Sequence, residues 1–177
     1  MNDSGESQNI EWLGRCQQLF DSALPTGAYA HSFGLEGLVQ LEEVRNTDGL
    51  ARFIFDEVAH NFVQVDLPVI REVCAAVRSS SYGKLLEIDA TAWALLPTHE
   101  LRSASSRIGR QTWNLYGKLL ADEPRAFKVY LCCGEYLSRY SLTVVSGTLA
   151  ACLGIPVAAA MQAYARQALS NFLQTSI

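Results

Sequence analysis

"THELRSASSRIGRQTWNLYGKLL", residues 98–120, decides the class of fold. Leu101, Ala104, Ile108, Thr112, Leu115 and Leu119 recur at three- and four-residue spacing and form one stripe of a helical wheel, with His99, Arg102, Arg107, Arg110 and Asn114 on the far side. Thr98 stands where a side-chain oxygen can accept from the first free backbone N–H groups, so the helix is expected to start there. Gly109 lies inside it at a cost of up to about 1 kcal/mol against alanine, which raises the question whether a neighbouring backbone packs against it. Gly34, Gly37 and Gly147 raise the same question.

The same period extends to both sides, and strand alternation does not occur. An N-terminal helix holds Trp12, Leu13, Cys16, Leu19 and Phe20, and another is expected from near Ala30. From Asp48 to Asp66, Ile54, Phe55, Val58, Phe62 and Val65 fall within one third of the circumference, opposite Arg52, Asp56 and His60. Asp66-Leu67-Pro68 can cap and restart a helix, whose stripe Val69, Ile70, Val73 and Val77 continue until "RSSSYG" breaks it. Leu85 to Leu96 reads as a short helix ended by Pro97. Pro124 stands near a helix start, and Ala126 to Tyr140 is apolar nearly all round and is expected to be the central helix. Leu142 to Leu153 follows, stopped by Gly154, and Pro156 opens a last helix with Val157, Met161, Tyr164, Ala165, Ala168 and Phe172 on one face. The expectation is an all-α, single-domain bundle of about seven to eight helices over residues 9–177, with residues 1–8 a disordered tail.

Composition narrows the function. With 177 residues the chain can bury a real core, and its 49% hydrophobic content leaves apolar surface for partners. Fourteen basic against 18 acidic residues, a formal charge of −4, speak against nucleic-acid binding through a general positive field. "MNDSGESQNIEW" has neither the basic nor the apolar region of a signal peptide and no long apolar run follows, so a cytoplasmic chain without a membrane anchor is expected. The five cysteines, Cys16, Cys74, Cys132, Cys133 and Cys152, are odd in number and lie in apolar-periodic stretches, where reduced thiols act as small hydrophobes.

Catalytic patterns do not complete. Asp21, Ser22, His31 and Ser32 are residue types of a hydrolase triad, and a hydrolase using His31 with Ser22 or Ser32 is the enzymatic alternative, but there is no G-x-S-x-G elbow. Asp21 and Ser22 are better read as side chains that satisfy backbone donors at a turn before Pro25 and Gly27. His31, His60 and His99 are isolated, no C-x-x-C or H-x-x-x-H occurs, and Cys132 and Cys133 point about 100° apart on a helix, so no metal site is expected within one chain. Gly117-Lys118 lacks the upstream glycine of a phosphate-binding loop, so any nucleotide belongs to a partner. What remains is surface: Arg102, Arg107 and Arg110 can pair bidentately with carboxylates of an acidic partner.

Taken together, "LFDSALPTGAYAHSFGLE" at 19–36, "DLP" at 66–68 and "ELRSASSRIGRQ" at 100–111 resemble the urease accessory protein UreF family. The resemblance runs from about Gln8 to the end, through "GTLAACLGIP" and "AYARQALSNFLQ". It implies an all-α homodimer, not an enzyme, that bridges UreD (UreH in some systems) and the GTPase UreG. With them it would regulate GTP-dependent delivery of nickel to apo-urease, whose active-site lysine must be carbamylated; nickel and GTP are then handled by the complex, not by this chain alone.

On that resemblance Pro25, Gly27 and Gly34 shape a loop, and Tyr29 and Phe33 anchor the next helix. His31, Ser32 and Glu36 remain as polar partner contacts, Glu36 matching the glutamate of the family's G-L-E motif. Arg102, Arg107 and Arg110 are the expected GTPase-facing or dimer surface. Two departures accompany the resemblance. Family members show H-x-P-x-x-x-G where this chain has Ser141, Thr143 and Gly147. They also continue past "FLQ" into an R-x-x-P-L-G-Q segment implied in UreD contact, while this sequence stops at Ile177. Either the sequence is cut short there or this variant lacks part of that interface, and the alternative function is that of a degenerate paralogue that dimerises without serving urease.

Overall fold

The computed structural model describes residues 4–21, 23–24 and 46–175, and among them there are helices and no strand. In order they are α1 (Ser4–Leu19), α2 (Thr47–Phe53), α3 (Ala59–Asn61), α4 (Leu67–Arg78), α5 (Lys84–Leu95), α6 (His99–Leu119), α7 (Pro124–Gly134), α8 (Leu142–Cys152) and α9 (Val157–Thr175). π-Helical turns at Ile54–Val58 and Phe62–Asp66 join α2, α3 and α4 into one unbroken run. The all-α bundle expected from periodicity is what forms. α1 begins at Ser4, inside the stretch 1–8 expected to lack structure, and the helix expected from Ala30 lies outside the described residues.

The core is built around α8, and this corrects the sequence reading. Val144, Val145, Leu149 and Ala150 have no exposure, and Thr143, Ser146 and Thr148 are buried beside them. Small residues allow neighbours to close on it. A Cβ on Gly147 would stand 3.1 Å from Val73 and 3.3 Å from the Cα of Ile70, so glycine lets α4 cross α8 closely. Thr148 returns its hydroxyl to the Val144 carbonyl at 2.8 Å, which keeps a polar side chain satisfied in the centre. Ile70, Val73 and Leu149 are each worth about 1.5–3 kcal/mol of burial.

Residues 126–140, expected as the central helix, do not form one: the amphipathic α7 stops at Gly134 and leaves Leu131 53% exposed. Its apolar excess is aromatic. Tyr130 stacks between Trp113, at 4.0 Å, and Phe127, at 5.8 Å, and such large rings cover α6 without α7 being enclosed.

The 48–66 stripe is also displaced. Arg52, Asp56 and His60 are exposed as expected and Phe62 is buried, but Phe55 is 73% exposed. Each π turn takes up one residue more than an α turn, so a wheel drawn at 100° per residue loses phase across this segment. Asp66 does not cap: its backbone is helical and its carboxylate makes no cap hydrogen bond, accepting one from Thr143 at 2.8 Å instead.

The remaining boundaries follow the sequence. Thr98 caps α6 by accepting from Leu101 N–H at 3.2 Å, prolines open α4 and α7, and Gly154 takes φ +70° after α8. The five cysteines are free. The neighbouring Cys133, with burial, raises the Cys152 thiol well above its ordinary range. Among the described residues no helix is long and apolar enough to cross a membrane.

Candidate interaction surface

The loop 138–141, between α7 and α8, is set by one buried carboxylate. Asp89 of α5 has no exposure; its Oδ2 accepts from the backbone N–H of Ser138 (3.0 Å), Arg139 (2.6 Å) and Tyr140 (3.0 Å), and its Oδ1 from that of Ser141 (2.9 Å). The Ser141 hydroxyl donates back to the Asp89 carbonyl at 3.3 Å. A carboxylate from another helix thus serves donors leading into α8, where the positive end of the helix dipole favours it. The loop is also pressed against α6: a Cβ on Gly109 would overlap the Tyr140 carbonyl oxygen and stand 3.1 Å from its carbon. Close backbone packing is therefore the reason for glycine at this position.

This frame sorts the three arginines. Arg102 is half-buried: its Nη1 donates to the Leu96 carbonyl at 2.7 Å, closing the end of α5, while its guanidinium lies 5.1 Å from the Trp93 ring centre. Arg139 covers the same ring at 4.7 Å. Arg110 is exposed and lies over Tyr140 at 4.3 Å, and Arg107 is exposed one turn before it. The expected three-arginine face thus divides, with Arg102 spent on structure and Arg107 and Arg110 turned outward. Arg110 and Arg139 rest on aromatic rings belonging to or flanking the Asp89 loop, which fixes guanidinium planes that would otherwise be mobile. No ion pair among the described residues neutralises Arg107, Arg110 or Arg139.

At the other candidate stretch the structure describes Asp21, Ala23 and Leu24. Asp21 Oδ1 accepts from Ala23 N–H at 2.9 Å and its carbonyl from Leu24 N–H at 3.2 Å, the turn expected of it. Gln167 of α9 donates to the same carbonyl at 3.3 Å, fastening the turn to the last helix. Ser22, Pro25, Gly27, His31, Ser32, Gly34 and Glu36 lie outside the described residues.

Asp89, Arg139 and Trp93 are the residues that periodicity does not single out. The available signal was a carboxylate, Asp89, on the same face as Leu85 and Ala92, whereas Lys84 and Glu87 lie off that face. Among the described residues no group of three or more His, Cys, Asp or Glu side chains is placed to hold a metal ion.

Known proteins match this chain over most of its length. It is 28% identical to urease accessory protein UreF of Paenarthrobacter aurescens over 162 residues, 91% of this chain and 69% of that protein. Urease accessory protein UreF of Arthrobacter sp. is 27% identical over 161 residues, 91% of this chain and 68% of that protein. Urease accessory protein F of Oryza sativa subsp. indica is 37% identical over 103 residues, 58% of this chain and only 38% of the plant protein. The sequence model of the UreF family matches residues 44–177, from just before α2 through α9, and the chain belongs to the UreF family.

Proposed function

We propose that this chain is a non-enzymatic adaptor, a chaperone of urease maturation, that bridges UreD/UreH and the GTPase UreG and regulates GTP-dependent insertion of nickel into apo-urease. Family membership gives the setting. The observation that carries the adaptor role is the outward arginine pair, Arg107 and Arg110, beside Arg139 on a loop pinned by Asp89. Such a surface pre-orients cations for carboxylates of a partner and loses little side-chain entropy on docking. Nickel is cargo of the assembly in this reading, and GTP is hydrolysed by the partner. The chain acts in the cytoplasm as a homodimer.

The decisive experiment is the mass of the complex formed with cognate UreG and UreD, with and without GTP and nickel. A complex containing all three chains supports the reading, and failure to bind either partner overturns it. Restoration of urease activity in a strain lacking its own UreF separates a working adaptor from a degenerate paralogue.

A further inference from the structure

Asp66, of the "DLP" motif, has no part in the surface above. It lies in a partly open cavity of about 120 Å³ lined by residues of α1, α6, α8, α9 and the second π turn. Its carboxylate Oδ1 accepts from the Thr143 hydroxyl at 2.8 Å, and Thr143 lies 3.0 Å from the Tyr164 hydroxyl. Because the Thr143 hydrogen is given to Asp66, Tyr164 must donate to Thr143, and both hydroxyl hydrogens of this relay are spent. Asn171 of α9 lines the same cavity; it is 9% exposed, and its Oδ1 is buried without a hydrogen-bond partner.

Asp66 is the one charged side chain among the described lining residues, and the buried Asn171 carbonyl is an acceptor left empty, which costs about 1–3 kcal/mol. No basic side chain is among the described residues lining the cavity. Leu19, Leu101, Ile108 and Leu142 give it apolar wall, and Asn61, Ser105, Ser146 and Gln167 add neutral polar groups. A cavity of this size is close to the roughly 150 Å³ that admits benzene in an apolar core. Water would satisfy the acceptors but gain nothing from the apolar walls, whereas a donor with a short hydrocarbon tail gains from both. From this we propose that the cavity is a binding site for a small alkylammonium ligand, its N–H groups donating to Asp66 and Asn171 and its tail lying against Ile108 and Leu142.

Calorimetric titration of the intact chain with n-propylammonium, n-propanol and potassium ion tests this. Saturable binding of propylammonium is expected, about tenfold or more tighter than propanol, and lost about tenfold in Asp66→Asn while propanol binding is kept. Asn171→Ala, with the carboxylate intact, is expected to weaken it several-fold. In the wild type, affinity should fall as pH drops through about 6, the range to which burial raises the Asp66 carboxyl. Tyr164 is the other titratable group among the described lining residues, and it stays neutral because burial and Asp66 raise it. Absence of saturable binding, equal affinity for propanol, or a preference for potassium would each overturn the assignment.

Discussion

Gly109 of α6 meets the carbonyl group of Tyr140 so closely that no side-chain carbon fits between them. Gly109→Ala should therefore destabilise the fold although alanine favours a helix by about 1 kcal/mol. We expect a loss of about 2–4 kcal/mol, since neither the helix nor the Asp89-bound loop can withdraw cheaply. Gly14 in α1 is the internal comparison: a Cβ there has nothing within 4 Å, and Gly14→Ala should gain about 0.5–1 kcal/mol. Urea unfolding of the two variants measures both. A neutral Gly109→Ala would show that the loop moves freely from α6.

Asp89→Asn tests the carboxylate that holds this loop. The amide offers one acceptor and sets an NH₂ group against backbone donors that Asp89 now satisfies. A cost of about 2–4 kcal/mol is expected, seen as a fall in Tm of roughly 5–15 °C for a chain of this size. Calorimetry would decide it, and a Tm within a degree of wild type would contradict this account of the loop.

The arginines should separate by assay. Arg102→Ala removes the bond to the Leu96 carbonyl and the contact with Trp93, so it should lower stability by about 1–2 kcal/mol. Arg107→Glu and Arg110→Glu should leave unfolding midpoints nearly unchanged and weaken capture of the GTPase about tenfold or more, with a marked dependence on salt. Equal capture by wild type and the double variant would remove this face from the interface.

Asp66 makes stability depend on pH in the opposite sense to a salt-bridged carboxylate. Burial raises its carboxyl from 3.8 to about 6, against the pull of the Thr143 hydrogen bond. The folded chain therefore holds this proton more tightly than the unfolded chain, and its contribution falls as pH rises from about 4 to about 6, then stays low. Asp66→Asn keeps an acceptor for Thr143 and removes the charge. Compared by urea unfolding, the variant should match wild type near pH 4 and exceed it at pH 8 by on the order of 2 kcal/mol. A variant less stable at both values would mean that the carboxylate is stabilising.

Much of this architecture was legible in local patterns because it is set by local physics. Thr98, Pro124 and Gly154 mark element ends through hydrogen bonding and backbone freedom, and they act within one turn. Which helix lies innermost was not legible, since α8 is enclosed through small residues such as Gly147 and Ser146, while the more aromatic α7 lies outside. Nor does a helical wheel show that Arg102 turns back to Leu96, because that depends on where the preceding helix ends. Asp89 and Asp66 were hidden for a related reason: their partners, Ser138 to Ser141 and Thr143, are about fifty or more residues away in sequence.

The two π turns between α2 and α4 carry a lesson for comparing relatives. Deleting one residue from Ile54–Val58 would relax that turn to ordinary α-helix without breaking the rod and, because the π turn absorbs the extra residue, would leave Thr47–Phe53 and Leu67–Arg78 showing nearly the same faces to the bundle. A single-residue gap at this place in an alignment therefore records a π turn lost, with the same side chains still facing the bundle on either side of it, and not a shortened loop or a swivelled segment.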